Sequence, residues 1–278
     1  MIIDFSRSII INNCNLKGTK ILSNNAPIGF FDSGLGGATV LKRAIEELPN
    51  EDFVFFADNG NAPYGNKSLE QIKQLSISCA NFLTEKNAKA IVIACNTATS
   101  ASIKDIREIF KIPVISMEPA IKPAVKWTEN GKVLMMATKA TCELERYIAL
   151  KNKIDINNIV IDLPCIDLVE TIEGNNSQAV EDVISRLMKP FKGENIKSIV
   201  LGCTHYSIVE KQIKKCAQAI FGSELKIFDG TNGTIKQLIK VLRENNLLSE
   251  NNSQNIEIYT SAKDKPKTIE MIRNIIES

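Results

Sequence analysis

The chain has 278 residues, 44% apolar and 24% charged, with a formal net charge of +2. That length suits one large domain or two small ones. The composition excludes a disordered chain, and apolar stretches of only a few residues exclude a spanning helix, which needs about 20. Lys and Arg are scattered rather than clustered, so neither nucleic acid nor a membrane surface is an expected partner.

Residues 1–26 are rich in Asn, Ser and Ile, lack periodicity and end at Asn24-Asn25-Ala26-Pro27; they read as an N-terminal extension. From Ile28 onward, short apolar runs alternate with amphipathic stretches. Buried strands are expected at Ile28 to Phe31, Phe53 to Phe56, Ala90 to Ala94, Pro113 to Ile115, Val133 to Met136, Ile159 to Ile161, Ser198 to Leu201 and Leu225 to Phe228. Helices are expected at Ala38 to Leu48, Leu69 to Lys86, Ala98 to Phe110, Gln178 to Lys189 and Ile208 to Ala219. The alternation is that of βαβ units, hence an α/β fold with mainly parallel sheets.

An internal echo divides this array. Lys89 to Thr97 aligns without gaps on Lys197 to His205, each copy a buried strand ending in Cys and a polar residue. A weaker echo pairs Phe30 to Gly34 with Ile227 to Thr231, each an apolar strand ending in Asp. Two similar lobes related by pseudo-two-fold symmetry follow. The expected boundaries are 27–117 plus 231–278 for the first lobe and 118–230 for the second.

The seven cysteines are odd in number, with no C-x-x-C pair and no secretory leader, which predicts reduced thiols and a cytoplasmic location. His205 is the sole histidine, and no cysteine near it has zinc-ligand spacing, so no metal is expected. Ligands of open α/β sheets bind beyond the carboxyl ends of the strands, where Cys95 and Cys203 fall. A thiol there, at a helix N-terminus, is expected to have a lowered pKa. Either cysteine alone reads better as a small buried hydrophobe. The pair reads differently, because two thiols on facing lobes can address one carbon from opposite sides, as a racemase requires.

Asp32 leads into the glycine-rich turn Ser33-Gly34-Leu35-Gly36-Gly37, which fits neither G-x-x-x-x-G-K-[ST] nor G-x-G-x-x-G and so argues against nucleotide binding. Its N–H groups could hold a substrate carboxylate, with Asp32 on an ammonium or tuning a thiol; Asp32 and Ser33 fit a helix cap equally well. His205 could assist Cys203 or serve as a hydrogen-bonded structural residue. Tyr64 and Gly65, in Ala62-Pro63-Tyr64-Gly65, form a loop open to substrate contact or a plain turn.

Four motifs in order, Phe31-Asp32-Ser33-Gly34-Leu35-Gly36-Gly37, Pro63-Tyr64-Gly65, Ala94-Cys95-Asn96-Thr97-Ala98-Thr99 and Leu201-Gly202-Cys203-Thr204-His205-Tyr206, together resemble the glutamate racemase family between Ile28 and Asp229. The resemblance implies two α/β lobes with the active site in the cleft between them, no cofactor and in particular no pyridoxal phosphate, a homodimer, and interconversion of L-glutamate and D-glutamate to supply peptidoglycan synthesis. It implies Cys95 as base toward D-glutamate and Cys203 as base toward L-glutamate, Asp32 and His205 as their respective helpers, and Glu173 as a further carboxylate, with Glu170 its competitor. Substrate contacts are implied for Asp32, Ser33, Tyr64, Gly65, Asn96, Thr97, Thr204 and His205, with Thr138 and Thr141 added. The segments Ala57 to Ala62 and Ser116 to Ala120 depart from the family pattern, the first where Gly-Asp-Thr is usual. An aspartate or hydantoin racemase with the same two thiols, and a two-lobed binding protein without catalysis, remain alternatives.

Overall fold

The protein is described from a computed structural model that covers residues 24–222, 224–251 and 254–278; the expected extension, save its last three residues, lies outside the described residues. Nine strands are described: β1 Ile28–Asp32, β2 Phe53–Ala57, β3 Ala90–Ile93, β4 Val114–Ser116, β5 Lys132–Ala137, β6 Val160–Pro164, β7 Ile196–Leu201, β8 Lys226–Asp229 and β9 Ile256–Thr260. They form two wholly parallel sheets, β4-β3-β1-β2-β9 and β6-β5-β7-β8. The α/β, two-lobed expectation holds.

Strand alternation divides each sheet between two cores. In the first, Phe30, Phe55 and Val92 pack with Leu41, Leu238 and Ile272, while Phe31, Val54 and Ile91 pack on the other face with Ile72, Leu83 and Ile106. In the second, Leu134, Met136 and Ile199 meet Ile184 and Ile213, and Val133, Met135 and Val200 meet Ile121 and Tyr147. Burial on both faces explains why these strands read as continuous apolar runs. Among the described residues no helix is long and apolar enough to cross a membrane.

The strand orders superimpose when β1, β2, β3 and β4 are matched to β5, β6, β7 and β8. That match pairs β3 with β7, as the Cys95/Cys203 echo requires. It corrects the weaker echo: β8, which ends in Asp229, is an edge strand matched to β4, whereas β1, which ends in Asp32, is internal and matched to β5. Apolar strands ending in Asp are too common for that likeness to fix topology.

β9 was not expected from the sequence. Its five residues pair with β2 at the sheet edge and are mostly half-buried, so neither length nor an apolar run marks them. The C-terminal segment is also tied to the first sheet at the end away from the cleft. There Lys89 Nζ lies 2.5 Å from Glu51 Oε2, and Glu51 Oε1 accepts the Ser249 N–H at 2.9 Å.

Candidate active site

Cys95 lies two residues beyond β3 and caps the helix Asn96–Ile109, whose Ala98 N–H donates to its sulfur at 3.4 Å; Ser33 Oγ lies 3.4 Å from the same sulfur. Asp32 closes the neighbouring β1 and is fully buried. Its Oδ2 accepts from Gly37 N at 2.8 Å and from Thr204 Oγ1 of the second lobe at 3.2 Å, while Oδ1 has no hydrogen-bond partner among the described residues. Asp32 thus holds the glycine-rich turn, as a cap would, and reaches across the cleft.

Burial, then the negative Asp32, pushes the Cys95 thiol far above its ordinary range; Ser33 and the helix N–H only partly offset this. The helix N-terminus alone predicted a lowered value, and that expectation is corrected here. Desolvation of a thiolate beside a carboxylate outweighs one turn of helix dipole. Cys95 therefore rests as a thiol. Burial likewise raises the Asp32 carboxyl, opposed by the charge of His205 and the Gly37 N–H.

Cys203 follows β7 and precedes the short helix Thr204–Ile208. The buried His205 places Nδ1 3.9 Å from Cys203 Sγ and Nε2 2.8 Å from Glu173 Oε1. Burial alone would lower the imidazole's proton affinity, but hydrogen bonding and charge from Cys203 and Glu173 outweigh it and raise His205 well above its ordinary value. Burial would raise Glu173, but His205, the Leu35 N–H and Asn59 outweigh it and hold the carboxylate below its usual value. The result is a chain of the Cys203 sulfur, the His205 imidazolium and the Glu173 carboxylate. Glu170, one turn earlier on the helix Leu168–Glu173, is exposed and accepts from Asn66 at 3.1 Å, so it is Glu173 that reaches His205.

Other candidate residues meet at the same interface. The hydroxyls of Thr97 on the first lobe and of Thr138 and Thr141 on the second form a triangle with sides of 3.0, 3.0 and 2.9 Å. Gly65 packs against Thr138, where an added Cβ would lie 3.0 Å from the threonine Cβ. Asn96 is buried, and neither of its side-chain polar atoms has a hydrogen-bond partner among the described residues. Tyr64 is buried too, but its hydroxyl is turned away from a free role and donates to Asp58 Oδ2 at 2.7 Å. Asp58, whose Oδ1 accepts from Ser261 Oγ at 2.6 Å, had not been singled out from the sequence. Its place immediately after β2, beside Asp32 at the end of β1, was the available signal.

The glycine-rich turn is not an open cradle. A Cβ on Gly34 would lie 2.7 Å from Glu173 Oε1 and 2.9 Å from His205 Nε2, and one on Gly36 would lie 2.5 Å from both His205 N and Thr204 Oγ1. Glycine is needed here for close approach of the second lobe. We expect Gly36→Ala to wedge the lobes apart against backbone that cannot yield. Stability should fall by about 1–3 kcal/mol and KM should rise roughly tenfold; an unchanged melting temperature and KM would contradict this packing.

Among the described residues no cluster of three or more His, Cys, Asp and Glu side chains could hold a metal ion. Two thiols stand at matched strand ends, near enough that charge on Cys203 opposes ionisation of Cys95. The sequence pattern of the Asp/Glu/Hydantoin racemase family matches residues 35–238, a span that includes both thiols. This chain belongs to the Asp/Glu/Hydantoin racemase family. Within that family, it is 47% identical over 257 residues to a glutamate racemase of Clostridium perfringens, covering 91% of this chain and 97% of that protein. Its fold is similar to the crystal structure of glutamate racemase from Francisella tularensis in complex with D-glutamate, with a TM-score of 0.79, 33% identity and coverage of 92% of this chain and 95% of that one. It is also similar to Escherichia coli glutamate racemase in complex with L-glutamate and the activator UDP-MurNAc-ala, with a TM-score of 0.78, 25% identity and coverage of 90% and 94%.

Proposed function

We propose that this chain is a glutamate racemase that interconverts L-glutamate and D-glutamate by proton transfer between Cys95 and Cys203, without a cofactor. The observation that carries the reading is the placement of two thiols at the ends of matched strands β3 and β7, where hydrogen bonds join the two lobes, each beside its own helper. The glutamate racemases to which the chain is similar, among them structures holding D-glutamate and L-glutamate, support glutamate as the substrate.

In this mechanism the substrate α-carbon lies between the two sulfurs. Cys203, acting in its thiolate form with His205 and Glu173 behind it, takes up the α-proton of L-glutamate and becomes a thiol; Cys95, held as a thiol by burial and Asp32, gives its proton to the opposite face and is left as the thiolate. The reverse reaction exchanges their roles. Among the described residues the buried Asp32 Oδ1 and the Asn96 carboxamide have no hydrogen-bond partner, which suits them to the substrate ammonium and a carboxylate. Ser33, Tyr64, Gly65, Thr97, Thr138, Thr141 and Thr204 complete the wall. Strand membership in the two sheets supports lobe boundaries near Met117 and Gly230. Supply of D-glutamate for peptidoglycan, a cytoplasmic location and a homodimer belong to the same reading.

The test is a circular-dichroism time course of L-glutamate, and separately of L-aspartate, with purified protein and nothing else added. Decay of the glutamate signal to zero supports the reading. A flat glutamate trace with decaying aspartate transfers it to an aspartate racemase, and two flat traces leave a binding protein.

A further inference from the structure

Asn59 lies in the loop between β2 and the helix Leu69–Glu85, on the first lobe. Its Nδ2 donates to Glu173 Oε1 at 3.2 Å, the same oxygen that receives His205 Nε2 at 2.8 Å. Glu173 is also bonded by the Leu35 N–H, again from the first lobe. His205 and Glu173 both belong to the second lobe. The carboxylate that orients the imidazole is thus itself held from across the cleft.

We propose that Asn59 is a positioning residue: its carboxamide fixes Glu173 on His205 from the first lobe, so that the helper chain behind Cys203 is completed at the interface between the lobes rather than by one lobe alone. The inference rests on the racemase reading for its kinetic consequence but not for its geometry. Three details support it. Glu173 ends its six-residue helix and its side chain is 26% exposed, so water offers the carboxylate an alternative position. The loop that carries Asn59 is anchored, with Gly60 N donating to Ser261 Oγ at 2.8 Å and Asn61 Nδ2 to Asp58 Oδ1 at 3.0 Å, which makes Asn59 a fixed donor. The Leu35 N–H, from the same lobe as Asn59, binds the same carboxylate, so Glu173 is held from the first lobe at two points.

A donor that holds a carboxylate against an imidazolium favours the proton on the imidazole. The titratable and charged groups facing His205 are Cys203 and Glu173 from its own lobe and Asp32 from the other. Loss of Asn59 lets Glu173 turn to water and lowers the proton affinity of His205.

His205 is the sole histidine of the chain, so ring-15N labelling of untagged full-length protein gives one imidazole to follow. In Asn59→Ala the pH at which its imidazolium signal falls is expected to drop by roughly one unit, and kcat by about tenfold with little change in KM, the size of one charge-assisted hydrogen bond. Asn59→Asp, of the same shape, places a carboxylate against Glu173 and should reduce kcat further. Asn59→Gln should recover part of both effects. Asn66→Ala breaks the other Asn–Glu bond across the cleft, at Glu170, and should leave the His205 titration as in wild type. The inference is overturned if either the His205 titration or kcat of Asn59→Ala matches wild type, or if Asn66→Ala shifts the titration equally. A wild-type protein that racemises nothing refutes the proposed function instead, and the titration still decides the role of Asn59.

Discussion

Replacing either Cys95 or Cys203 with alanine should abolish racemisation while leaving the fold intact. Each sulfur is the only acid/base group proposed for its face of the α-carbon. Removing a positioned general acid or base costs on the order of 10²–10⁴ in rate, and the upper end is expected where no second group can substitute. Both residues are buried, at 5% and 9% exposure, but each change removes a single sulfur atom and should cost only about 1 kcal/mol.

A directional readout is also available. Enantiomers have equal free energies, so kcat/KM must be the same in both directions for every variant and cannot assign the thiols. Exchange of the α-hydrogen with solvent deuterium under retention is a separate reaction without that constraint. Cys203→Ala should still exchange D-glutamate, through Cys95, and fail to exchange L-glutamate; Cys95→Ala should do the opposite. Proton NMR in deuterium oxide reads both. Ordinary racemisation in either variant would sink the two-thiol mechanism, and reversed exchange preferences would swap the two roles.

His205→Asn is expected to have the next largest effect. The change removes the imidazolium between Cys203 and Glu173, and kcat should fall by roughly 10²–10³. It also removes a charge-assisted hydrogen bond, worth about 2 kcal/mol of stability. The pH dependence of that loss has a defined sign. The folded value of His205 is raised, so its contribution is fully present below its unfolded value, near 6.5, and disappears as pH rises through the higher folded value. The folded value of Glu173 is lowered, so its contribution is present above about 4.5 and disappears as pH falls through the lower folded value. The wild-type advantage in melting temperature should therefore be widest between about pH 4.5 and 6.5 and narrow on both sides. A constant difference from pH 4 to pH 10 would mean that the pair is not ionised as described.

The sequence by itself determined the alternating α/β pattern, the two lobes and the pairing of Cys95 with Cys203, because these depend on local periodicity and on a repeat whose key residue ends a strand. The same logic failed for Asp32 and Asp229. Strand order in a sheet is a long-range property, and a short apolar run ending in Asp does not encode whether the strand is internal or at an edge. β9 escaped notice because an edge strand is covered on only part of its surface and needs no apolar run.

Only the tertiary structure decided which carboxylate serves His205. Glu170 and Glu173 lie one helical turn apart and are chemically alike; the difference is which one the other lobe covers. The protonation of Cys95 was likewise beyond the sequence. Its helix N-terminus could be read locally and pointed toward a thiolate, but burial and the neighbouring β1 carboxylate, brought in by parallel pairing of β1 and β3, outweigh that dipole. Asn59 and the close approach at Gly34 and Gly36 are further cases. Each is set by how two lobes meet, and a contact between residues more than 100 positions apart leaves no mark in local pattern.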